Sequence, residues 1–157
     1  MSKTHDFNAR IAWTGDRGEG ARRYKGYDRT WNIVTPGKER IDFCSNDPML
    51  GGDASKPNPE DLLLASLSGC HMLRYLHLAS DAGIIVRSYE DNPVGVGETG
   101  PRGEGRFLKA TLRLRIVVEH GADLARADAL HHTRQRVLIH RALGELSGLL
   151  RSDLPGR

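Results

Sequence analysis

The sequence predicts an α+β fold, an antiparallel sheet carrying two long helices, and three observations support it. Residues 107–119 alternate apolar and polar with a period of two. Residues 58–83 form a long apolar segment with a helix start signal at one end and a stop signal at the other. The segments run strands, helix, strands, helix, an order that packs helices on one face of an antiparallel sheet. At 157 residues the chain fits a single domain, 1–157, large enough to bury a core without covalent staples.

The first 45 residues read as β structure. Ile11 and Trp13 alternate with smaller residues, Thr30 to Val34 is rich in β-formers, and Ile41 to Cys44 is the expected return strand. Thr35-Pro36-Gly37-Lys38 sets Pro before Gly in the order of a type II turn. Between the first strand and this hairpin lies GDRGEGARRYKGYDR, residues 15–29. Its Gly and Arg content predicts a loop that is mobile or shaped by a partner. SNDPMLGGDASKP, residues 45–57, is a second loop.

A helix is expected to begin at Asn58. Asn58 can cap, Pro59 suits the first helical position, and Glu60 and Asp61 favour the positive end of the dipole. Gly83 can supply the left-handed terminator. The result is a helix of about two dozen residues, some ~36 Å long. Apolar residues lie nearly all round it, which predicts a central, largely buried helix. Ala65, Ser66, Ser68 and Gly69 keep one section slim. Gly69 costs ~1 kcal/mol in a helix interior, so close packing beside Cys70 is the expected compensation.

A strand is expected over Ile84 to Tyr89, then the connection NPVGVGETGPRGEG. In residues 107–119, Leu108, Ala110, Leu112, Leu114, Ile116 and Val118 should face one way. Lys109, Thr111, Arg113, Arg115 and Glu119 should face the other. A second helix is expected from Ala122 to at least Ile139, with Leu124, Ala127, Leu130, Arg134, Val137 and Leu138 near one stripe. The tail, GELSGLLRSDLPGR, reads equally as helical continuation or a short strand.

Apolar residues make up 38% and charged residues 27%, the balance of a soluble globular protein. Lys and Arg total 23 against 20 Asp and Glu, a net of +3. The signs are interspersed, which suits a solvated surface rather than a nucleic-acid partner. No run reaches the ~18 apolar residues of a membrane span. The start, MSKTHDFNAR, has no apolar signal region, so the expected location is the cytoplasm. Two cysteines are too few for a disulfide framework or a structural zinc site. Neither Cys70, His71 and His77 nor His131, His132 and His140 have a recognised ligand spacing, so no metal is expected. His71 and His132 read as solvated, core-polar or hydrogen-bonding residues, and one of the His131/His132 pair can turn inward.

Cys70 poses the functional question, because a cysteine on an apolar helix is ordinarily inert packing. A reactive thiol needs a nearby cation or a helix N-terminus to hold it as thiolate. Cys70 lies three turns in from Asn58, so a side chain must supply the charge. Arg74 is four residues on and within reach. His71 points ~100° away, and His77 is two turns on. The Gly/Arg loop offers Arg22, Arg23 and Arg29. From the residues alone, packing and chemistry both stand.

The stretch NPEDLLLASLSGCHMLRYLHLASDAGI resembles the cysteine-bearing helix of the OsmC/Ohr family, the osmotically inducible and organic hydroperoxide resistance proteins. WTGDRGEGARRYKGYDR, SNDPMLGGDASKPNPE, SYEDNPVGVGE and the LHH helix look like its OsmC-like branch in the same order, so the resemblance covers nearly the whole chain. It implies the OsmC-like fold as an intertwined homodimer, with both thiol sites at the subunit interface. It also implies a peroxiredoxin-like activity in which an organic hydroperoxide is reduced at a thiol. An external dithiol, lipoyl-type in better-known members, restores that thiol without metal or flavin. By the same resemblance Cys70 matches the peroxidatic cysteine and Glu60 the family's glutamate. Arg29 is the best match for its arginine, with Arg22 and Arg23 close behind. Glu60 and Cys70 are ten residues apart, ~15 Å along an unbroken helix. They meet only if the arginine spans them or a partner subunit supplies one.

One departure matters. The family's second cysteine falls, in LHHTRQRVLIHRAL, on Val137, which cannot form a disulfide. Three readings follow: a one-cysteine peroxidase, a peroxidase in which Cys44 resolves, or a non-catalytic or redox-sensing dimeric binding protein on the same scaffold. The Cys44 route requires the Cα atoms to come within ~7 Å, and the plain alternative for Cys44 is a buried, idle thiol.

Overall fold

The computed structural model describes residues 4–46, 51–101 and 105–132. They form an α+β protein in which every strand pairing is antiparallel. The chain divides into two compact units, Met1–Leu63 and Leu64–Arg157.

The first unit holds a three-stranded sheet of β1 (Arg10–Trp13), β2 (Trp31–Val34) and β3 (Ile41–Phe43), with β2 in the centre. Arg10 pairs with Val34 and Trp13 with Trp31, while Trp31 also pairs with Phe43 and stacks on its ring at 4.5 Å. The expected type II turn forms. Lys38 N–H donates to Thr35 O at 3.0 Å, and Gly37 takes φ +75°, the conformation that position i+2 demands. The Gly/Arg loop departs from expectation, because the chain itself fixes much of it. The Trp13 indole N–H and Arg17 both bind Asp28, and Asp28 N–H donates to Gly15 O at 2.8 Å. A Cβ on Gly15 would lie 1.8 Å from Asp28 O, so only glycine admits this approach.

The helix α1 (Pro59–Asp81) follows its sequence signals at both ends. Asn58 Oδ1 accepts from Asp61 N–H at 2.7 Å, and Asp61 Oδ2 accepts from Asn58 N–H at 3.1 Å, a reciprocal capping box. At the other end Gly83 has φ +72°, Gly83 N–H donates to Ser80 O, and Ile84 N–H donates to Ala79 O. Those two bonds are the Schellman pair, and Ala79 and Ile84 meet in the core as its usual apolar contact. Among the described residues no helix is long and apolar enough to cross a membrane. The helix is not largely buried, however. His71, Tyr75 and Ala79 form its buried stripe, while Leu73 is 66% exposed. Among the described residues, apart from its chain neighbours and the backbone of its own helix, nothing lies within 4 Å of where a Gly69 Cβ would stand, so the expected close packing is not found among them.

The second unit contains two two-stranded sheets, β4 (Val86–Asp91) with β7 (Leu114–Val118), and β5 (Val94–Thr99) with β6 (Gly105–Thr111). Two expectations fail here. The Gly- and Pro-rich connection contains β5, because Gly95 makes room for a cross-strand ring. A Cβ on Gly95 would come within 2.5 Å of Phe107 Cε1. The single strand over 107–119 is two strands with different partners. Lys109 pairs with Val96 and Phe107 with Gly97, so Leu108 is bulged out of register and 51% exposed. The alternation resumes after it, with Leu114, Ile116 and Val118 half-buried on β7. The core of this unit is Tyr75, Ala79, Ile84 and Ala127, with Val86, Tyr89, Ile116, Val118 and Leu130 packed around them.

The helix α2 (Leu124–Ala129) begins after Asp123, whose carboxylate caps Arg126 N–H at 3.0 Å, two residues later than expected. A 3₁₀ turn, Leu130–His132, continues it. Ala127 is buried as expected, but Leu124 is exposed. The rest of the expected second helix, including Arg134, Val137 and Leu138, and the tail lie outside the described residues.

Candidate active site

Cys70 sits on the exposed side of α1, flanked by two residues that tie the helix to β4. Ser68 Oγ donates to Asp91 Oδ2 at 2.6 Å, and His71 Nδ1 is hydrogen-bonded to the Tyr89 hydroxyl at 2.7 Å. Spacings of three and four residues put Ser68, His71, Tyr75 and Ala79 on one helix face. Cys70 precedes His71 by one residue, ~100° around the axis, and so points away from that face. The thiol is displayed, while the turn carrying it is held from behind.

The holding face is polar at its centre. Tyr75 donates to Ala127 O at 3.3 Å, and the His131 ring stacks on Tyr75 at 4.4 Å and on His71 at 5.4 Å. His131 is therefore turned inward. His71 is 7% exposed and hydrogen-bonded, the core-polar one of the expected readings. Burial pulls its pKa below the ordinary imidazole range, with the Asp91 charge pulling the other way. Tyr89 is pushed up to about 12 by burial, then by the negative charge of Asp91 and by Tyr75. Burial and the Asp128 charge raise Tyr75 as well. Near neutral pH the cluster is thus an uncharged imidazole among protonated phenols.

Tyr89 and Asp91 were not singled out from sequence, and Ser68 was noted only as a small residue. The available signal was the two-residue spacing of Tyr89 and Asp91, which puts both on the same face of a strand. What they face required the fold.

Arg29 belongs to the first unit. Its guanidinium lies over the Tyr24 ring at 4.6 Å and 5.6 Å from the Tyr27 ring centre, and the Arg29 backbone N–H donates to Gly51 O at 3.1 Å. Cation–π contact and an anchored backbone make it the best-fixed of the three candidates Arg22, Arg23 and Arg29; Arg22 and Arg23 are exposed. Glu60 is exposed in the first turn of α1, and the capping carboxylate there is Asp61 rather than Glu60. Capping does not account for Glu60. Cys44 is fully buried, its N–H donating to Pro57 O at 3.0 Å and its Sγ lying 3.9 Å from Gly51 O. Val137 lies outside the described residues.

A family model described as OsmC-like protein matches residues 52–146. Solved structures share the fold. An OsmC-like protein of unknown function from Vibrio cholerae is 26% identical, with a TM-score of 0.72 over 89% of this chain and 90% of that one. An OsmC-like protein from Mycoplasma pneumoniae is 16% identical, with a TM-score of 0.61 over 94% and 92%. A Legionella pneumophila protein described as an organic hydroperoxide resistance protein OsmC and predicted redox protein is 18% identical, with a TM-score of 0.54 over 85% and 86%. No curated protein sequence matches the chain.

Proposed function

We propose, for a chain that belongs to the OsmC-like protein family, that it is a thiol peroxidase reducing organic hydroperoxides at Cys70 by a one-cysteine route. One observation carries this reading. Cys70 is exposed on a helix whose opposite face is buried and bonded to β4, the reverse of a cysteine used as packing. The role described for the Legionella pneumophila relative is the same class of chemistry.

In the proposed cycle the Cys70 thiolate attacks the terminal oxygen of RO–OH. The S–O bond forms, the O–O bond breaks, and the departing alkoxide takes a proton to become ROH. Cys70 is left as a sulfenic acid. One thiol of an external dithiol, lipoyl-type being the expected class, attacks that sulfur and expels water. The second thiol displaces Cys70 from the mixed disulfide, so hydroperoxide and dithiol become alcohol, water and disulfide. Full burial of Cys44 supports an external resolving thiol over an internal one. Arg29 is assigned to holding the thiolate and polarising the peroxide, and Glu60 to fixing the guanidinium through a bidentate pair. A homodimer in the cytoplasm, with a partner subunit completing the site, accommodates the ~15 Å between Glu60 and Cys70 along α1.

The test is turnover of cumene and t-butyl hydroperoxide with dihydrolipoamide or dithiothreitol. Cys70→Ser is expected to abolish turnover and Cys44→Ser to retain it. Loss of activity in Cys44→Ser overturns the one-cysteine route. Absence of turnover by the unaltered protein with both dithiols overturns the enzyme reading.

A further inference from the structure

The face of α1 behind Cys70 carries a group of stacked rings that the proposed chemistry does not use. The His131 ring lies nearly parallel to the Tyr75 ring, 4.4 Å away at 12°, and to the His71 ring, 5.4 Å away at 10°. His131 is in the 3₁₀ turn that follows α2, so the stack joins Leu124–His132 to α1. Two further contacts make the same join. The Tyr75 hydroxyl donates to Ala127 O at 3.3 Å, and Ala127 is buried with Tyr75 and Ala79. With six residues of helix and three of 3₁₀ turn, the segment is too short to persist as an isolated helix. It holds its shape through that join.

Two imidazoles therefore face each other across the join. A proton on either ring puts a cation 5.4 Å from the second ring, so a second proton meets like-charge repulsion away from bulk water. Among the described residues, the titratable groups facing the pair are Tyr75 of α1, Tyr89 and Asp91 of β4, and Asp128 of α2. The other charged residues of these elements are exposed. Both tyrosines are neutral in acid, so of these groups only Asp91 and Asp128 favour a cation. Asp91 is already bonded to the Ser68 hydroxyl and the Arg113 N–H, and burial outweighs its pull on His71. The closed join thus accepts fewer protons than the two rings accept once apart.

We propose that the His71–His131 pair is an acid-operated latch, which in mild acid releases Leu124–His132 from α1 while the sheets stay folded. Below pH ~6.5 the open state binds more protons than the closed one, so closure is complete above that value and is lost as pH falls through it. Each proton refused by the closed state shifts the opening equilibrium by up to about tenfold per pH unit there. Release uncovers His71, Tyr75 and Ala79, the buried stripe behind the turn that displays Cys70. The latch rests on the rings and not on the thiol, so it stands or falls apart from the peroxidase reading.

The experiment is amide hydrogen exchange of the full chain by NMR at pH 7 and pH 5, expressed as protection factors so that the intrinsic pH dependence of exchange cancels. The reporters are Ala127 N–H, which donates to Asp123 O at 2.9 Å, and Leu130 N–H, which donates to Arg126 O. Their protection is expected to fall about tenfold or more between the two pH values. At pH 5 their exchange should ignore low urea, as local opening does, while that of the β4–β7 amides rises with it. His131→Phe keeps a ring on Tyr75 without a titrating nitrogen and should reduce the fall to about threefold or less. His131→Gln, neutral and polar, is the second variant with the same expectation, and thermal melting checks that both fold. Equal protection at the two pH values, or none at pH 7, overturns the latch. So does urea dependence matching the β4–β7 amides, or a tenfold fall that survives in both variants.

Discussion

The His71–Tyr89 hydrogen bond, 2.7 Å long, is the side-chain contact nearest in sequence to Cys70 that crosses from helix to sheet. Tyr89→Phe removes the hydroxyl and leaves a buried ring nitrogen without that partner, a loss of roughly 1–3 kcal/mol. A fall of that size in urea-unfolding stability is the expected result. Burial also gives this histidine a pH signature. Its folded pKa is depressed, so below the ordinary value the unfolded chain binds more protons than the native one. Stability is therefore fully present above pH ~6.5 and declines as pH falls through that value. Urea midpoints at pH 7.5 and 5.5 should show the decline, and His71→Gln should reduce it. Neither effect was legible in the sequence. HM in the middle of an apolar run reads equally as core or surface, and the partner is 18 residues away on another element.

At the scale of elements, the ends of α1 were fully legible because their signals are local. Asn58, Pro59, Asp61 and Gly83 act on backbone groups within four residues of themselves. Asn58→Ala should cost ~0.5–2 kcal/mol of stability. Glu60→Gln, outside the capping box, should change stability by less than ~0.5 kcal/mol while lowering peroxidase turnover. Thermal or urea unfolding beside the hydroperoxide assay separates the two. The strand β5 was hidden for the opposite reason. Its glycines weaken the strand signal, and the reason for Gly95 is a Phe107 ring that only the β5–β6 pairing brings near. Gly95→Ala is expected to destabilise the protein, and adding Phe107→Leu should recover part of the loss. Full additivity of the two changes in urea unfolding would contradict the contact. The Leu108 bulge escaped notice because residue types continue to alternate through it while the pairing does not.

For the whole molecule, the sequence conveyed the fold class and the order of segments, because both follow from periodicity and turn chemistry. Among the described residues the division of β structure into three small sheets depends on register, which residue types near Leu108 do not reveal. The global pH profile joins the separate effects. Tyr89, raised to about 12, keeps its proton in the native state after an unfolded tyrosine has lost its own at ~10. The native state then binds more protons, so stability falls as pH rises from ~10 towards that value. Unfolding followed across pH 9 to 12 should show this limb, and Tyr89→Phe should flatten it. Asp91 bonds through both oxygens of its carboxylate. One of its oxygens takes the Ser68 hydroxyl and the other the Arg113 backbone N–H at 2.7 Å, beside the point where β7 begins. A single carboxylate thus serves as a common knot for the helix turn behind the thiol and for the crossover between two strands. Slack introduced at that crossover would travel to the sulfur without any residue beside it having changed.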